Sequence, residues 1–328
     1  MVDWDGRGLP PAAAERMARF HRHPVATSLL EVPDAVALAS VGLTPVGEVM
    51  GCIVQHMGWQ GYGGCGWYGG GLGGGFGRRP GFGGPLGGLG GLVGPGVGPG
   101  FGTGGVSGYG YQGAGTVTSG RGGFAGYAPY VDALYRGFGT ALSRMGAEAQ
   151  AMAADGVVGV KIIETSMGEG NREFMAMGTA VRAASQTRPA RMFVTDASGP
   201  DVAKLMLAGW VPVNIAIGIS VAIRHDDYTT QLQARSWSSS NVEVSGYTEL
   251  VQHVRADARQ RFDAAARADS ADAATVSGMT LSIWEIEPGE GHIDHAAECR
   301  VVGNSVARFH RGEQAISSTL TVLPLRGA

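Results

Sequence analysis

A long stretch of this chain comes back later in the same chain, and that repetition restricts its folding more than any motif does. The segment PDAVALASVGLTPVGEVMGCIVQHM (Pro33–Met57) lines up without a gap on PDVAKLMLAGWVPVNIAIGISVAIR (Pro200–Arg224), at a constant offset of 167 residues. Asp34 falls on Asp201, Leu38 on Leu205, Gly42 on Gly209, Pro45 on Pro212 and Gly51 on Gly218. A second block, Tyr130–Gly156, lines up on Tyr247–Ala273 at an offset of 117, and a third, Glu173–Val181, on Glu298–Val306 at an offset of 125. Three blocks in unchanged order point to an internal duplication, one supersecondary unit built twice. The drop from the first offset to the second gives the first copy fifty residues that the second lacks.

Those residues form a glycine tract. From Gly58 to Gly126, 34 of 69 residues are glycine, so the tract is an insertion within one copy and not a linker between copies. It carries no acidic residue but ten of the 25 aromatics, Trp59, Trp67, Phe82 and Phe101 among them. Segments that stay solvated are poor in aromatics, so this composition predicts contact. Glycine lets backbones approach closely, and the rings supply contact area. Ordering the tract costs on the order of 1–2 kcal/mol per residue in backbone entropy. A lone loop does not recover that; copies packed around a symmetry axis do. Trp59, Trp67, Phe82 and Phe101 are therefore the candidate assembly residues.

Within each copy the local signals agree. ATSLLEV and ARMFVTD read as short strands, each before a helix with Pro33 or Pro200 and an aspartate in its first turn. The helix closes at Gly42 or Gly209, where a left-handed cap is expected. A long strand follows, with Val46, Cys52, Val54 and His56 on alternating positions. The main helix has an apolar stripe of Val131, Leu134, Leu142, Met145, Ala149 and Met152, widened by Tyr135 and Phe138; its counterpart has Val251, Val254, Ala258, Phe262 and Ala265. Two antiparallel strands close each unit, around SMGEGN and around PGEGHIDHAA.

The run GFGTALSRMGAEAQAMAADGVVGVKI resembles the signature of the YbjQ-like family, also labelled heavy-metal-binding domain. The match is best at Ala154, Asp155, Gly156, Val157, Val158 and Gly159; the second copy keeps only Ala271, Asp272 and Ala273 before diverging. The resemblance implies an α+β fold of two tandem dodecin-like β-α-β-β units, each preceded by a short β-α element. It implies assembly into pentameric rings through edge strands, hence a homo-oligomer with a multiple of five chains. The domains expected are an N-terminal extension (1–24), a first unit (25–185, with the insertion at 58–126), a second unit (188–310) and a C-terminal tail (311–328). The insertion and the duplication depart from the family pattern.

Candidate chemistry is sparse. Cys52 and His56 share a strand face, but at four residues apart they stand about 13 Å from each other, too far for one ion. HIDHAAEC gathers His292, Asp294, His295, Glu298 and Cys299, ligand types that suit a transition metal; His292, His295 and Cys299 are the metal candidates. Its place in a hairpin, with only GEGNREF in the other copy, reads as a solvated turn. His21 and His23 read as exposed N-terminal residues. GYGYQG (Gly108, Gly110, Gly113) matches a dinucleotide fingerprint as a string only, since it follows no strand. Arg121 makes one RGG, and Arg78 and Arg79 are the other charges of the tract, too few for RNA. No nucleophile stands in a catalytic context, so no enzyme activity and no cofactor are assigned.

The formal charge of −3 with 16% charged residues shows no basic footprint for nucleic acid. The N-terminus lacks an apolar run, no 18 consecutive apolar residues occur without glycine, and three cysteines, Cys52, Cys65 and Cys299, make no disulfide framework. A cytoplasmic chain without a membrane span is expected. The function expected is a self-assembling scaffold, a homo-oligomeric ring or shell; the alternative is an oligomer that binds a metal or small ligand.

Overall fold

A computed structural model describes residues 8–22, 28–57, 124–168, 170–186, 188–235, 242–289 and 292–309. Helix α1 (Pro11–Arg22) leads to α2 (Val32–Ser40) and strand β1 (Leu43–His56). After the glycine tract come β2 (Ala125–Gly126), α3 (Ala128–Ala151), β3 (Gly156–Gly168) and β4 (Asn171–Ala183). The second half runs β5 (Phe193–Val194), α4 (Gly199–Leu207), β6 (Trp210–His225), α5 (Tyr228–Arg235), α6 (Ser245–Ala268), β7 (Ala273–Gly289) and β8 (His292–Arg308). The fold is α+β. No described helix is long and apolar enough to cross a membrane.

Local chemistry explains the boundaries. Asp34 accepts the Glu31 N–H at 3.0 Å, and Ser198 accepts the Asp201 N–H at 3.4 Å, so α2 and α4 each start with a capped donor. Both end on a left-handed glycine, Gly42 at φ +75 and Gly209 at φ +81. The long strands then begin with a ladder irregularity beside Pro45 and Pro212, which have no N–H to donate. One expectation is corrected here. Residues 28–31 are not a strand; the Leu29 N–H bonds the Thr179 hydroxyl at 3.1 Å instead of a ladder partner, and the helix opens at Val32. ARMFVTD forms a strand only at Phe193–Val194.

The first sheet has the order β1-β4-β3-β5 and the second β2-β6-β8-β7. All pairs are antiparallel except β3 with β5. Each sheet takes a two-residue strand from the other half of the chain. β5 joins β3 at Gly156–Val157, and β2 joins β6 at Ile223 and Ala222.

Alternation along the strands sorts the faces. Val49, Phe174 and Ala176 of the first sheet and Ile215, Ile219, Val221, Ile223 and Ala296 of the second share one core with α3. The other face of the second sheet, with Ala216, Ala222, Ala297, Cys299 and Val301, forms a separate core with Leu250, Val254, Ala258 and Phe262 of α6. A small third cluster joins Leu38, Leu43, Val158, Val181 and Val202. The layers therefore run first sheet, α3, second sheet, α6. The helix contacts are closest at Gly51 and Gly218. A Cβ on Gly51 would strike the Ala141 carbonyl and the Met145 amide, and one on Gly218 would strike the Ala258 carbonyl and the Phe262 amide.

Gly51→Ala and Gly218→Ala should each cost about 1–3 kcal/mol, because rigid backbone blocks the added methyl. Gly278→Ala, where nothing lies within 4 Å, should stay within about 0.5 kcal/mol of the parent chain. Urea unfolding of the three variants measures this, and equal midpoints would refute the close approach.

Candidate functional site

Where α3 lies between the sheets, its apolar seam contains one buried polar cluster. Tyr130, in the first turn of α3, donates its hydroxyl to Glu298 Oε2 at 3.2 Å. Arg172 of β4 stands 5.4 Å above the Tyr130 ring, with Nη1 at 3.7 Å from Glu298. The same guanidinium holds Glu164 of β3, whose other oxygen accepts Arg300 Nη1 at 2.6 Å. Arg300 in turn lies 4.6 Å over the Phe138 ring. Two carboxylates and two guanidiniums thus bridge β3 and β4 of one sheet to β8 of the other.

The environment sets the ionisation of each group. Burial pushes the Glu298 carboxyl up, and the Glu164 charge adds to it, against the opposing pull of Arg172 and Arg300. Burial is also the main reason that the Tyr130 phenol is raised, and Glu298 contributes. Burial works against the charge of Arg172, but Tyr130, Glu164 and Glu298 together outweigh it and raise that group. Removing one partner would leave an uncompensated charge, so the cluster ties the two sheets to one register.

A second polar cluster lies at the ends of β6 and β8. His225 Nδ1 meets Asp294 Oδ1 at 2.8 Å, and His295 Nδ1 meets Asp226 Oδ2 at 2.9 Å. Tyr247 of α6 places its hydroxyl 3.2 Å from Asp226 and 3.1 Å from His295 Nε2. Arg224 Nη2 reaches Asp227 at 3.2 Å, and the Thr230 N–H is the main reason that the Asp227 carboxyl is lowered. Among the described residues, Arg224 Nη1, Asp226 Oδ1 and Thr230 Oγ1 are buried without a hydrogen-bond partner. Each imidazole is held by one carboxylate, which orients the ring.

The structure redistributes the metal candidates. HIDH is not a solvated turn: β8 begins at His292 and pairs with β7 from there. The ladder continues because His295 and Asp294 enter the sheet already satisfied by Asp226 and His225. The side chain of His292 lies outside the described residues. Cys299 is buried in the α6 core, where burial pushes its thiol up. At four residues from His295 along an extended strand it is about 13 Å away, so these two do not share an ion. Cys52 and His56 lie on a partly exposed face of β1, with His56 Nδ1 at 3.2 Å from Asn171. His21 is exposed in the last turn of α1. No three His, Cys, Asp or Glu side chains among the described residues are arranged to hold a metal. Trp59, Trp67, Phe82, Phe101, His23, Cys65, Arg78, Arg79, Gly108, Gly110, Gly113 and Arg121 lie outside the described residues.

The seam cluster was missed in the sequence, though a signal existed. Glu298 and Arg300 are two apart on one strand face, between Ala296 and Val302 of the shared core, so both charges enter that core together.

Residues 115–184 match the YbjQ_1 family, described as "Putative heavy-metal-binding". Over 201 residues the chain is 33% identical to Encapsulin nanocompartment protein Rv1762c of Mycobacterium tuberculosis, covering 59% of this chain and 73% of that one. No solved structure matches.

Two outcomes follow from this geometry. The raised Glu298 carboxyl keeps its proton in the folded state to higher pH than in the unfolded chain, so its contribution is present at low pH and lost as pH rises through the raised value. Glu298→Gln keeps an acceptor for Tyr130, so its melting temperature relative to the parent should rise as pH climbs above the ordinary glutamate range of about 4. A pH-independent difference would refute the assignment. Second, zinc, nickel and copper should be substoichiometric after chelation, as read by elemental analysis. A retained stoichiometric metal, lost in the His292→Ala, His295→Ala variant, would overturn this.

Proposed function

Because the chain belongs to the same family as Encapsulin nanocompartment protein Rv1762c of Mycobacterium tuberculosis, we propose that it is a self-assembling structural protein of a closed shell or ring, and not a catalyst. The single observation that carries this is the 33% identity over most of that relative. We place it in the cytoplasm, consistent with two free thiols at Cys52 and Cys299.

In this reading the chain is two copies of one dodecin-like unit. Equivalent hydrogen bonds support it. The Asp155 carboxylate accepts the Ala183 N–H at 2.8 Å, and the Asp272 carboxylate accepts the Arg308 N–H at 2.8 Å. The irregularities at Pro45/Gly47 and Pro212/Asn214 support it as well, as do the matched strand orders β1-β4-β3 and β6-β8-β7. The glycine tract is the assembly element, packed near the ring axis or between rings through Trp59, Trp67, Phe82 and Phe101. Its last residues are already anchored: Phe124 stacks on His253 of α6 at 4.4 Å and 16°.

Mass photometry should show particles holding a multiple of five chains, and particle images should show closed outlines. A clean monomer at micromolar concentration would overturn the proposal and favour a ligand-binding module. Replacing residues 58–123 by a short connection should leave melting unchanged or slightly higher, since the shorter loop lowers the closure cost by roughly 1 kcal/mol. The particles should dissociate, fail to stack or show an open axis. Unaltered particles would make the tract a passenger.

A further inference from the structure

Among the described residues, one sheet face is covered by helices only at one end, where Val158 and Val181 meet Leu38 of α2 and Val202 of α4. The second sheet has α3 on one face and α6 on the other. The first sheet has α3 on one face, while its opposite face presents Met50, Val54, Ile163, Met167, Met175 and Met177. Val54 is 56% exposed, Met167 59% and Ile163 36%. A matching vacancy exists on the helices. α3 buries two sides, including Tyr130, Leu134 and Phe138 toward the second sheet, whereas α6 buries only the side on its own sheet. The outer side of α6 is a groove of about 470 Å³ lined by Glu243, Val244, Tyr247, Val251, Gln252 and Arg255.

We propose that the bare face of the first sheet docks on the outer groove of α6 from a second copy of this chain, repeating between chains the contact that α3 makes with the second sheet within one chain. The proposal rests on the self-assembly reading and names the surface through which it proceeds.

The interface already present within the chain supplies the register. Gly51 and Gly218 sit at the same point of their strands, against Ala141 of α3 and Ala258 of α6. Gly218 pairs with Val301, and Gly51 with Ala176. Counted from these anchors, Glu173 stands where Glu298 stands, and Tyr247 where Tyr130 stands. Tyr130 donates to Glu298 within the chain; docking would bring Glu173 of one copy over Tyr247 of the other. By the same count, Ile219, whose N–H is bound by the Tyr135 hydroxyl at 2.9 Å, answers to Cys52, and Tyr135 answers to Gln252. The strand edge agrees too. β2 adds to β6 at Ile223 and Ala222. The corresponding segment before α6, with Val242 50% exposed, would add to β1 of the next copy at His56 and Gln55.

Chemistry favours this occupant. The outer side of α6 carries Arg255 and Arg259, both exposed, and the bare sheet face carries Glu48 and Glu173 against one Lys161. Arginine stems cover thioether and aliphatic surface while their heads reach carboxylates. The face is rich in methionine, which adapts its shape to a partner. The contact is heterologous, so it closes into a ring or runs on as a filament.

The test uses the full chain with Cys65→Ser, leaving Cys52 as a part-exposed thiol and Cys299 buried. Adding Gln252→Cys and a short bismaleimide should give a ladder of covalent oligomers on a denaturing gel. Within one chain these two positions lie at opposite ends of the layer stack, so the link must join two chains. Cys52→Ser should abolish the ladder. Met175→Arg with Met177→Arg should reduce particle mass by photometry while leaving the melting temperature within a few degrees, since both side chains are part-exposed. Intact particles without a ladder, or intact particles in the double arginine variant, would overturn this interface while leaving self-assembly standing. A monomeric parent chain would overturn both.

Discussion

A β-sheet with apolar side chains on both faces needs two covers, and most of this structure follows from how that need is met. The second sheet, with Ile219 on one face and Cys299 on the other, takes α3 and α6. Helix α3 can serve two sheets because its apolar residues do not form a single stripe. Ala141 and Met145 meet the first sheet at Gly51, Tyr130 and Tyr135 meet the second, and Phe138 lies between Phe174 of the first and Arg300 of the second. The glycines let the backbones approach until the helix is in contact along its length. A larger side chain at Gly51 would lift α3 from the first sheet, and one at Gly218 would lift α6 from the second.

The seam between the sheets is not purely apolar, and its charges have a role that burial alone would not fill. Apolar side chains pack in several registers at similar cost, whereas Glu164 between Arg172 and Arg300, and Glu298 beneath Tyr130, can be satisfied in one. The net contribution to stability is small, because desolvating four charges offsets most of the attraction. What the cluster adds is a single relative position for two units that are otherwise joined by a short connection. A repeat contact between chains would need the same selectivity, and at the positions of Glu298 and Tyr130 it would find Glu173 and Tyr247, the latter already held by Asp226 and His295 of its own chain.

Much of this was legible in the sequence, for a physical reason. Strand faces and helix stripes are periodic, so the alternation of Val46, Cys52, Val54 and His56, the stripe from Val131 to Met152 and the capping glycines Gly42 and Gly209 announce their elements locally, although the face of that strand turned to the core is the other one, with Val49 and Ile53. Repetition then doubled every signal. The HIDH segment was misread because PGEG before it carries strong turn chemistry, while the partners that keep it in the sheet, Asp226 and His225, lie about seventy residues earlier. Likewise Glu298 meets Tyr130 at a separation of 168 residues. Neither pairing leaves a local trace. Residues 28–31 failed as a strand for the opposite reason: their β-like composition had no neighbour to pair with, and Thr179 took the free amide instead.

The duplication also bears on the size of any closed assembly. In the proposed reading of two units per chain, the number of units would be even in any ring that whole chains close. The two kinds of unit-to-unit contact would then be chemically distinct. Within the chain the helix offers Phe138 and Leu142 to the sheet; between chains it would offer Arg255 and Arg259. The internal contact joins two parts of one chain, and Tyr130 and Phe138 are buried in it. The external one must stay soluble until a partner arrives, and arginine on that face is the composition that such a surface requires.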